Sequence, residues 1–403
     1  MYPIRSNSLR PALLLLAVLL LGYTLGSAHT TLDAQTRPPL SADEQRMFDS
    51  FWQVWEHIRV DFADPKGNAP EIAVLIDGAI RGMTDALGDE HSGYLDAQQY
   101  PLMQEDHAGA VNGIGAVVER DDTSGQQRIA WVLPGTPAET AGLAAGDVFL
   151  QVDGVDVREA SQLELAAMVR GPVGTDVELQ MRRGEDTLGF TITRARIDIP
   201  NVESRRFQET GIGYIQLQHF NGNARQQMEE ALDAMDAGSL EGLVLDLRNN
   251  PGGLLDSAIA IASAFIEDGP LLIEASGKGQ EVHDADGSFL GLTLPLVVLV
   301  NEQSASASEL VAGALQDRGR AIIIGEPTFG KGTMQNLFPL DNGGGLQLTI
   351  ARWLTPEGHW IHGSGIMPDI HVVQSIQTPV REHDQQLQAA IDHLQALPAL
   401  HAA

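Results

Sequence analysis

The chain has 403 residues, 43% of them hydrophobic, which is enough for two or three domains with a sizeable core. Its formal net charge of −29 repels phosphate backbones and argues against nucleic acid as a partner. It contains no cysteine, which excludes disulfides, thiol catalysis and cysteine-ligated zinc.

At the amino end, Arg5 and Arg10 precede an apolar run over 12–21 and the small residues Gly26-Ser27-Ala28. This is the order of a secretory signal. The run is shorter than the ~20 residues of a membrane span. Residues 1–28 are therefore expected to be a signal peptide and the protein to be exported. It would be soluble after cleavage, or anchored to the inner membrane by an uncleaved signal. Residues 29–40, with Pro38-Pro39, read as a linker.

Ser41-Ala42-Asp43-Glu44 is a capping box. Phe48, Phe51, Trp52, Trp55 and Ile58 follow at helical spacing and are expected to pack in a core. A second helical stretch over 72–87 completes a helical amino-terminal region, 41–106. Gly88-Asp89-Glu90-His91-Ser92-Gly93-Tyr94 places an acid, a histidine and a serine together. Triad members usually converge from separate segments, so this stretch reads as a turn with satisfied polar groups.

From 107 to 196 short β-type runs (115–118, 129–133, 148–152, 177–181, 190–193) surround one helix, 161–169. The stretch Pro137-Ala138-Glu139-Thr140-Ala141-Gly142-Leu143-Ala144-Ala145-Gly146-Asp147-Val148, with Val152-Asp153-Gly154, resembles a PDZ domain. That resemblance implies peptide binding. It needs a loop of free N–H groups beside an edge strand, and Gly113, Ile114 and Gly115 followed by Ala116-Val117-Val118 fit both. Leu163, Ala167 and Met168 of the facing helix are the expected apolar pocket. Arg170 is the candidate for linking this domain to the rest of the chain.

Residues 197–376 alternate strands (212–217, 243–247, 296–300, 321–324) with helices (224–237, 255–265, 308–316), which predicts an α/β core. The tail, 377–403, has Leu387, Ile391 and Leu394 at helical spacing and is expected to dock on the core or on a second subunit.

The chemistry concentrates in two stretches of this core. Ser304-Ala305-Ser306-Ala307-Ser308-Glu309 sits between an apolar strand and a helix, where a serine can be exposed beside backbone N–H groups. Glu309 falls in the first helical turn, where an acid favours the dipole, and Ser304 and Ser308 read as structural. A serine hydroxyl needs a base. No histidine lies in this constellation, and Lys331 of Phe329-Gly330-Lys331-Gly332 is the candidate. Burial among Phe329, Met334, Leu337 and Phe338 would lower its proton affinity. Ala307 N–H, at the helix start, points where negative charge would develop. His359 and His362 lack a third ligand nearby in sequence and read as structural, so no metal and no other cofactor is expected.

Together Asn301-Glu302-Gln303-Ser304 through Glu309, and Gly325-Glu326-Pro327-Thr328-Phe329-Gly330-Lys331-Gly332, resemble the carboxyl-terminal processing proteases, serine peptidases with a Ser/Lys dyad and a built-in PDZ domain. The resemblance spans about 41–373. It implies Ser306 as nucleophile, Lys331 as general base, Gln335 as the residue that orients the lysine, and, in Asp246-Leu247-Arg248-Asn249-Asn250-Pro251-Gly252-Gly253, a glycine as the second oxyanion donor, assigned by spacing to Gly252 with Gly253 close behind. It also implies a mixed α/β fold, with the PDZ domain inserted between the helical region and a protease core of crotonase/ClpP-like spiral architecture. Substrates would be proteins with apolar C-termini. A helical-repeat adaptor and a homo-oligomer formed through the terminal helices are further implied partners, and the bacterial periplasm is the implied compartment. Gln303 departs from the glycine many members carry.

Two other readings compete. Gly325 to Lys331 has the G-x-x-x-x-G-K pattern of a nucleotide-binding loop, but Gly332 replaces the required hydroxyl residue, Pro327 removes an amide, and no helix pattern follows. An inactive peptide-binding adaptor is the other, and the intact Ser306, Lys331 and Gln335 argue against it.

Overall fold

The computed structural model of the chain describes residues 41–63, 71–121, 125–374 and 384–397; the expected signal peptide and linker lie outside the described residues. By its contacts the chain divides into a unit ending at Ile76 and a unit starting at Asp77.

In the first unit, α1 (Ala42–Asp61) begins at the predicted capping box, with Ser41 N donating to Glu44 Oε2 (2.7 Å) and Glu44 N donating to Ser41 Oγ (3.2 Å). The helix closes its own backbone bonds, yet no residue in it is buried. The expectation that its aromatic stripe packs in a core is not met: Trp52 is 57% exposed, and Phe48, Phe51 and Ile58 are open as well. Helical spacing marks an apolar face but does not supply a partner for it. The second helix, α2 (Ile72–Asp85), crosses the boundary between the units.

The second unit opens with β1 (Gly93–Leu95) and α3 (Gln99–Ala108). The chain then enters the PDZ region along β2 (Ala110–Gly113) and leaves it along β9 (Ala195–Asp198), and these two strands pair antiparallel. That pairing is how an inserted domain holds its entry and exit together. Between them lie β3 (Ala116–Arg120), β4 (Gln127–Val132), α4 (Pro137–Ala141), β5 (Val148–Val152), β6 (Val155–Asp156), α5 (Gln162–Val169), β7 (Asp176–Arg183) and β8 (Asp186–Thr193). The sheet order β3-β4-β5-β7-β8 leaves β3 at an edge. Ile114, Ile129, Phe149, Leu165 and Met181 form its separate core. The alternating burial of β7 shows why a sheet with one covered face is legible in sequence.

The core follows as β10 (Val202–Arg206), β11 (Ile212–Leu217), α6 (Ala224–Ala234), β12 (Gly242–Asp246), α7 (Leu255–Phe265), β13 (Pro270–Ser276), β14 (Gly279–Asp284), β15 (Leu296–Val300), α8 (Ala307–Asp317), β16 (Ile322–Gly325), β17 (Thr333–Pro339), β18 (Gly345–Leu354), β19 (Ile370–His371) and α9 (Gln385–Ala396). One sheet runs β10-β11-β12-β15-β16-β19, with every pair after the first parallel. β12 and β15 are buried at every position, as a sheet covered on both faces requires. On one side lie α7, α8 and the main core; on the other, α9 packs Leu387, Ala390, Ile391 and Leu394 against Val244, Val297 and Ile324. The predicted tail helix thus docks on its own core. A second, antiparallel sheet, β1-β18-β13-β14 with β17 on β18, closes the other side of the site.

Candidate active site

β12, β15 and β16 are neighbours in the parallel sheet, and the three loops that leave their carboxyl ends meet at one place. This is where open α/β sheets bind ligands. The loop after β12 carries Gly252 and Gly253, the loop after β15 carries Ser306, and the loop after β16 carries Lys331.

Ser306 stands at the turn into α8 with φ 55° and ψ −114°, a conformation that a side-chain-bearing residue rarely adopts. Its flanking serines explain how the turn is held. Ser304 Oγ donates to Leu247 O (2.8 Å) and accepts from Asn301 N (3.0 Å), and Ser308 Oγ donates to Asn250 O (2.8 Å). Both hydroxyls are buried and tie the serine loop to the glycine loop; Ser306 alone stays partly open. Gly252 lies against the turn so closely that a Cβ would stand 2.7 Å from Ala305 O and 2.9 Å from Ala307 N.

Lys331 is half-buried. Burial pulls its ammonium below the usual lysine range, against the opposing pull of Asp89 and Glu309. Ser306, Lys331, Gly253 and Ala307 line one cavity of about 500 Å³, with Leu254, Leu310, Met334, Leu337 and Trp353 as apolar wall and Met103 and His107 of α3 at its border. Trp353 Nε1 donates to Lys331 O (3.1 Å). A serine on a strained turn and a half-buried lysine in one cleft, beside the backbone amides of the adjoining loops, are the groups that acyl transfer needs.

A second cavity, of about 560 Å³, lies in the PDZ region between Gly113, Ile114, Gly115 and the edge strand β3 on one side and Leu165, Ala166 and Val169 of α5 on the other. Arg170 borders it and donates through Nη1 to Glu105 Oε2 of α3 (2.5 Å).

A model of peptidase family S41 matches residues 211–372, and a PDZ-domain model matches residues 128–183. The chain is 36% identical over 326 residues to carboxy-terminal processing protease CtpA of Bacillus subtilis, covering 80% of this chain and 68% of that one. It is 40% identical over 327 residues to the carboxyl-terminal-processing protease of Synechocystis, covering 78% and 76%. The chain belongs to the carboxyl-terminal processing proteases. A solved structure, the photosystem II D1 C-terminal processing protease, is 30% identical over 86% of this chain and 91% of its own, with a TM-score of 0.48.

In this processing protease several side chains sit differently from their sequence expectation. Gly252 N donates to Asn250 Oδ1 (2.9 Å), so its N–H is occupied within its own loop, and the glycine serves the close approach to the serine turn. The flanking bonds, Phe220 N to Gly252 O and Leu254 N to Phe220 O, hold Gly253 in place, and Gly253 lines the cavity. Gln335 Nε2 donates to Thr333 Oγ1 and Thr349 Oγ1 (3.0 Å each), and a bond to Lys331 is not among its hydrogen bonds. Phe329, 58% exposed, and Phe338 do not bury Lys331. Met168 packs on the PDZ core; Leu163 belongs to α5, and its side chain lies outside the described residues.

Other residues gained a place that sequence had not given them. Residues 88–92 form a turn as expected, with Ser92 Oγ donating to Asp89 Oδ2 (2.6 Å), and Gly93 and Tyr94 open β1. It also faces the site: His91 is pushed down by burial and by Lys331. The nucleotide-binding reading fails because strand β17, not a helix, follows Lys331. His362 stacks on Trp360 at 5.3 Å, whereas the ligand atoms of His359, Asp317 and Glu357 lie within 4.8 Å of one another on the surface. Asp317 ends α8, 42 residues before His359, so sequence adjacency did not show it.

Proposed function

We propose that this protein is an exported endopeptidase in which Ser306 attacks the substrate carbonyl and Lys331 is the general base. The observation that carries it is Ser306 held at a positive φ in one apolar cavity with a half-buried lysine whose proton affinity is lowered. Neutral Lys331 Nζ takes the Ser306 proton as Oγ bonds to the carbonyl carbon. The N–H groups of Gly253 and Ala307 receive the oxyanion. The ammonium then protonates the leaving amine, and water resolves the acyl-enzyme by the same route. Orientation of Lys331 by Gln335 requires that the amide leave the two threonines.

Substrate tails enter through the PDZ groove. Ile114 O and Gly115 O accept bonds from Ala138 N and Leu133 N, which supports a loop whose own N–H groups remain for a terminal carboxylate. The Arg170–Glu105 pair supports a link from this groove to the catalytic cleft, because Met103 and His107 on the same helix border that cleft. The open apolar stripe of α1 supports an oligomer contact, and a helical-repeat adaptor is a second protein partner in this reading. The amino-terminal signal pattern supports export to the periplasm, with residues 1–28 removed or kept as an anchor. Among the described residues no helix is long and apolar enough to cross a membrane.

Proteolysis of an unstructured reporter by wild type and Ser306→Ala tests the assignment. The wild type should degrade it and the variant should not; degradation by the variant refutes the nucleophile.

A further inference from the structure

We propose that Glu309 is a positioning residue for the peptidase reaction, its buried carboxylate bolting the loop that carries Ser306 to the loop that carries Lys331. The inference rests on the Ser306/Lys331 reading. The two loops leave different strands, so dyad geometry depends on how the loops are held together, not only on either side chain. Glu309 Oε2 accepts from Ser306 N (2.7 Å) and from Lys331 N (2.9 Å). Glu309 Oε1 accepts from Gly330 N (2.6 Å) and Thr328 Oγ1 (2.6 Å). The residue is 0% exposed. One oxygen therefore spans the nucleophile and base backbones, and the other fixes the approach to the base.

The bonding pattern fits only a carboxylate. All four partners are donors. Thr328 Oγ1 accepts from Ile366 N (2.7 Å) and donates its hydrogen to Glu309 Oε1 (2.6 Å). A glutamine amide would turn its NH₂ onto one donor pair or the other, toward the Ser306 and Lys331 N–H groups or toward the Gly330 N–H and the Thr328 hydroxyl. A residue at Ser306's φ and ψ persists only where its surroundings over-determine it, and the Ser306 N–H bond to Glu309 is such a constraint. The dipole role expected from the first helical turn explains an acid here. It does not explain complete burial or bonds to a loop 19 to 22 residues away.

A second consequence separates positioning from plain stability. The charged and titratable groups around Lys331 are Asp89 and His91 from the turn before β1 and Glu309 from α8, with His107 of α3, Asp256 of α7 and Glu274 of β13 lining the same cavity. The Glu309 charge favours the ammonium. Removing it should leave Lys331 neutral at lower pH even as the dyad loses its alignment.

The test uses the full chain and an unstructured reporter, with kcat and KM followed across pH for wild type, Glu309→Gln, Thr328→Val, Thr328→Ser and Ser306→Ala. Glu309→Gln should lower the plateau kcat roughly ten- to hundredfold, with KM little changed. Its acidic limb should move to lower pH. Thr328→Val keeps the charge, so kcat should fall less and the limb stay in place, and Thr328→Ser should restore the rate. Wild-type kcat in Glu309→Gln, or a loss with the limb unmoved, overturns the proposal. If Glu309→Gln does not fold, wild-type kcat in Thr328→Val overturns it, and a loss rescued by Thr328→Ser upholds it. A dead Ser306→Ala beside a fully active Glu309→Gln refutes only the clamp; an active Ser306→Ala refutes the dyad beneath it.

Discussion

In the proposed dyad Ser306 and Lys331 act as one unit, so their losses should not add. Ser306→Ala and Lys331→Ala should each cut kcat by roughly 10³-fold or more, with the double variant no worse than either single one, as kcat measurements on a reporter would show. The lysine also carries a stability signature. Its folded proton affinity lies below the unfolded value of ~10.4. Above that value the lysine is neutral in both states and costs nothing. The penalty grows as pH falls from there to the folded value, and below it is complete. Lys331→Met should therefore melt at higher temperature than wild type at neutral pH while being inactive, and the gap should close above about pH 10.4. Equal melting temperatures at neutral pH would contradict a strained lysine. At this scale Ser306 and Lys331 were singled out from sequence, and the structure places both on one cavity. Gly252 and Gln335 were placed by resemblance, and sequence could not show that Asn250 and two threonines hold their N–H groups. Glu309 was read from its place in a helix alone, because its partners at 328, 330 and 331 lie on another loop.

The parallel strands and α7 and α8 were readable, since buried apolar runs and capped helices carry their own signals. β17 and β18 were not, because their residues are mostly half-exposed and alternate poorly. α3 also escaped, with little apolar asymmetry around its axis. That helix matters, since it takes Glu105 to Arg170 at the PDZ groove and Met103 and His107 to the catalytic cleft. The groove face of α5 was read out of phase, as Ala167 and Met168 where the cavity has Ala166 and Val169. Arg170→Ala and Glu105→Gln should each break the link. Hydrolysis of a tailed protein substrate should change at least threefold, in the same direction for both, while a short peptide too small to reach the PDZ groove is cut as by wild type. Opposite or absent effects, compared side by side in the two assays, would remove the pair from the coupling.

At the scale of the whole molecule, an acidic chain whose PDZ groove is proposed to take a terminal carboxylate must recognise it by local N–H groups and apolar burial, not by net charge. Affinity for matched peptides, measured with Ser306→Ala, should fall at least tenfold when the terminal carboxylate is amidated or the apolar last residue becomes aspartate. Burying that residue is worth about 1.5–3 kcal/mol. Equal affinities would leave the groove without its role. The PDZ region and the peptidase region that follows it were legible in that order, whereas the docking side of the tail depends on tertiary packing that local patterns do not encode. The central claim is a neutral base beside Ser306, and the chain's three lysines, Lys66, Lys278 and Lys331, make it directly measurable. A pH titration of the ¹⁵Nζ signals of the lysine-labelled protein, with Lys331 assigned by its loss in Lys331→Met, should find Lys331 titrating below the ordinary lysine value of ~10.4. A Lys331 signal that titrates at or above that value would contradict the account.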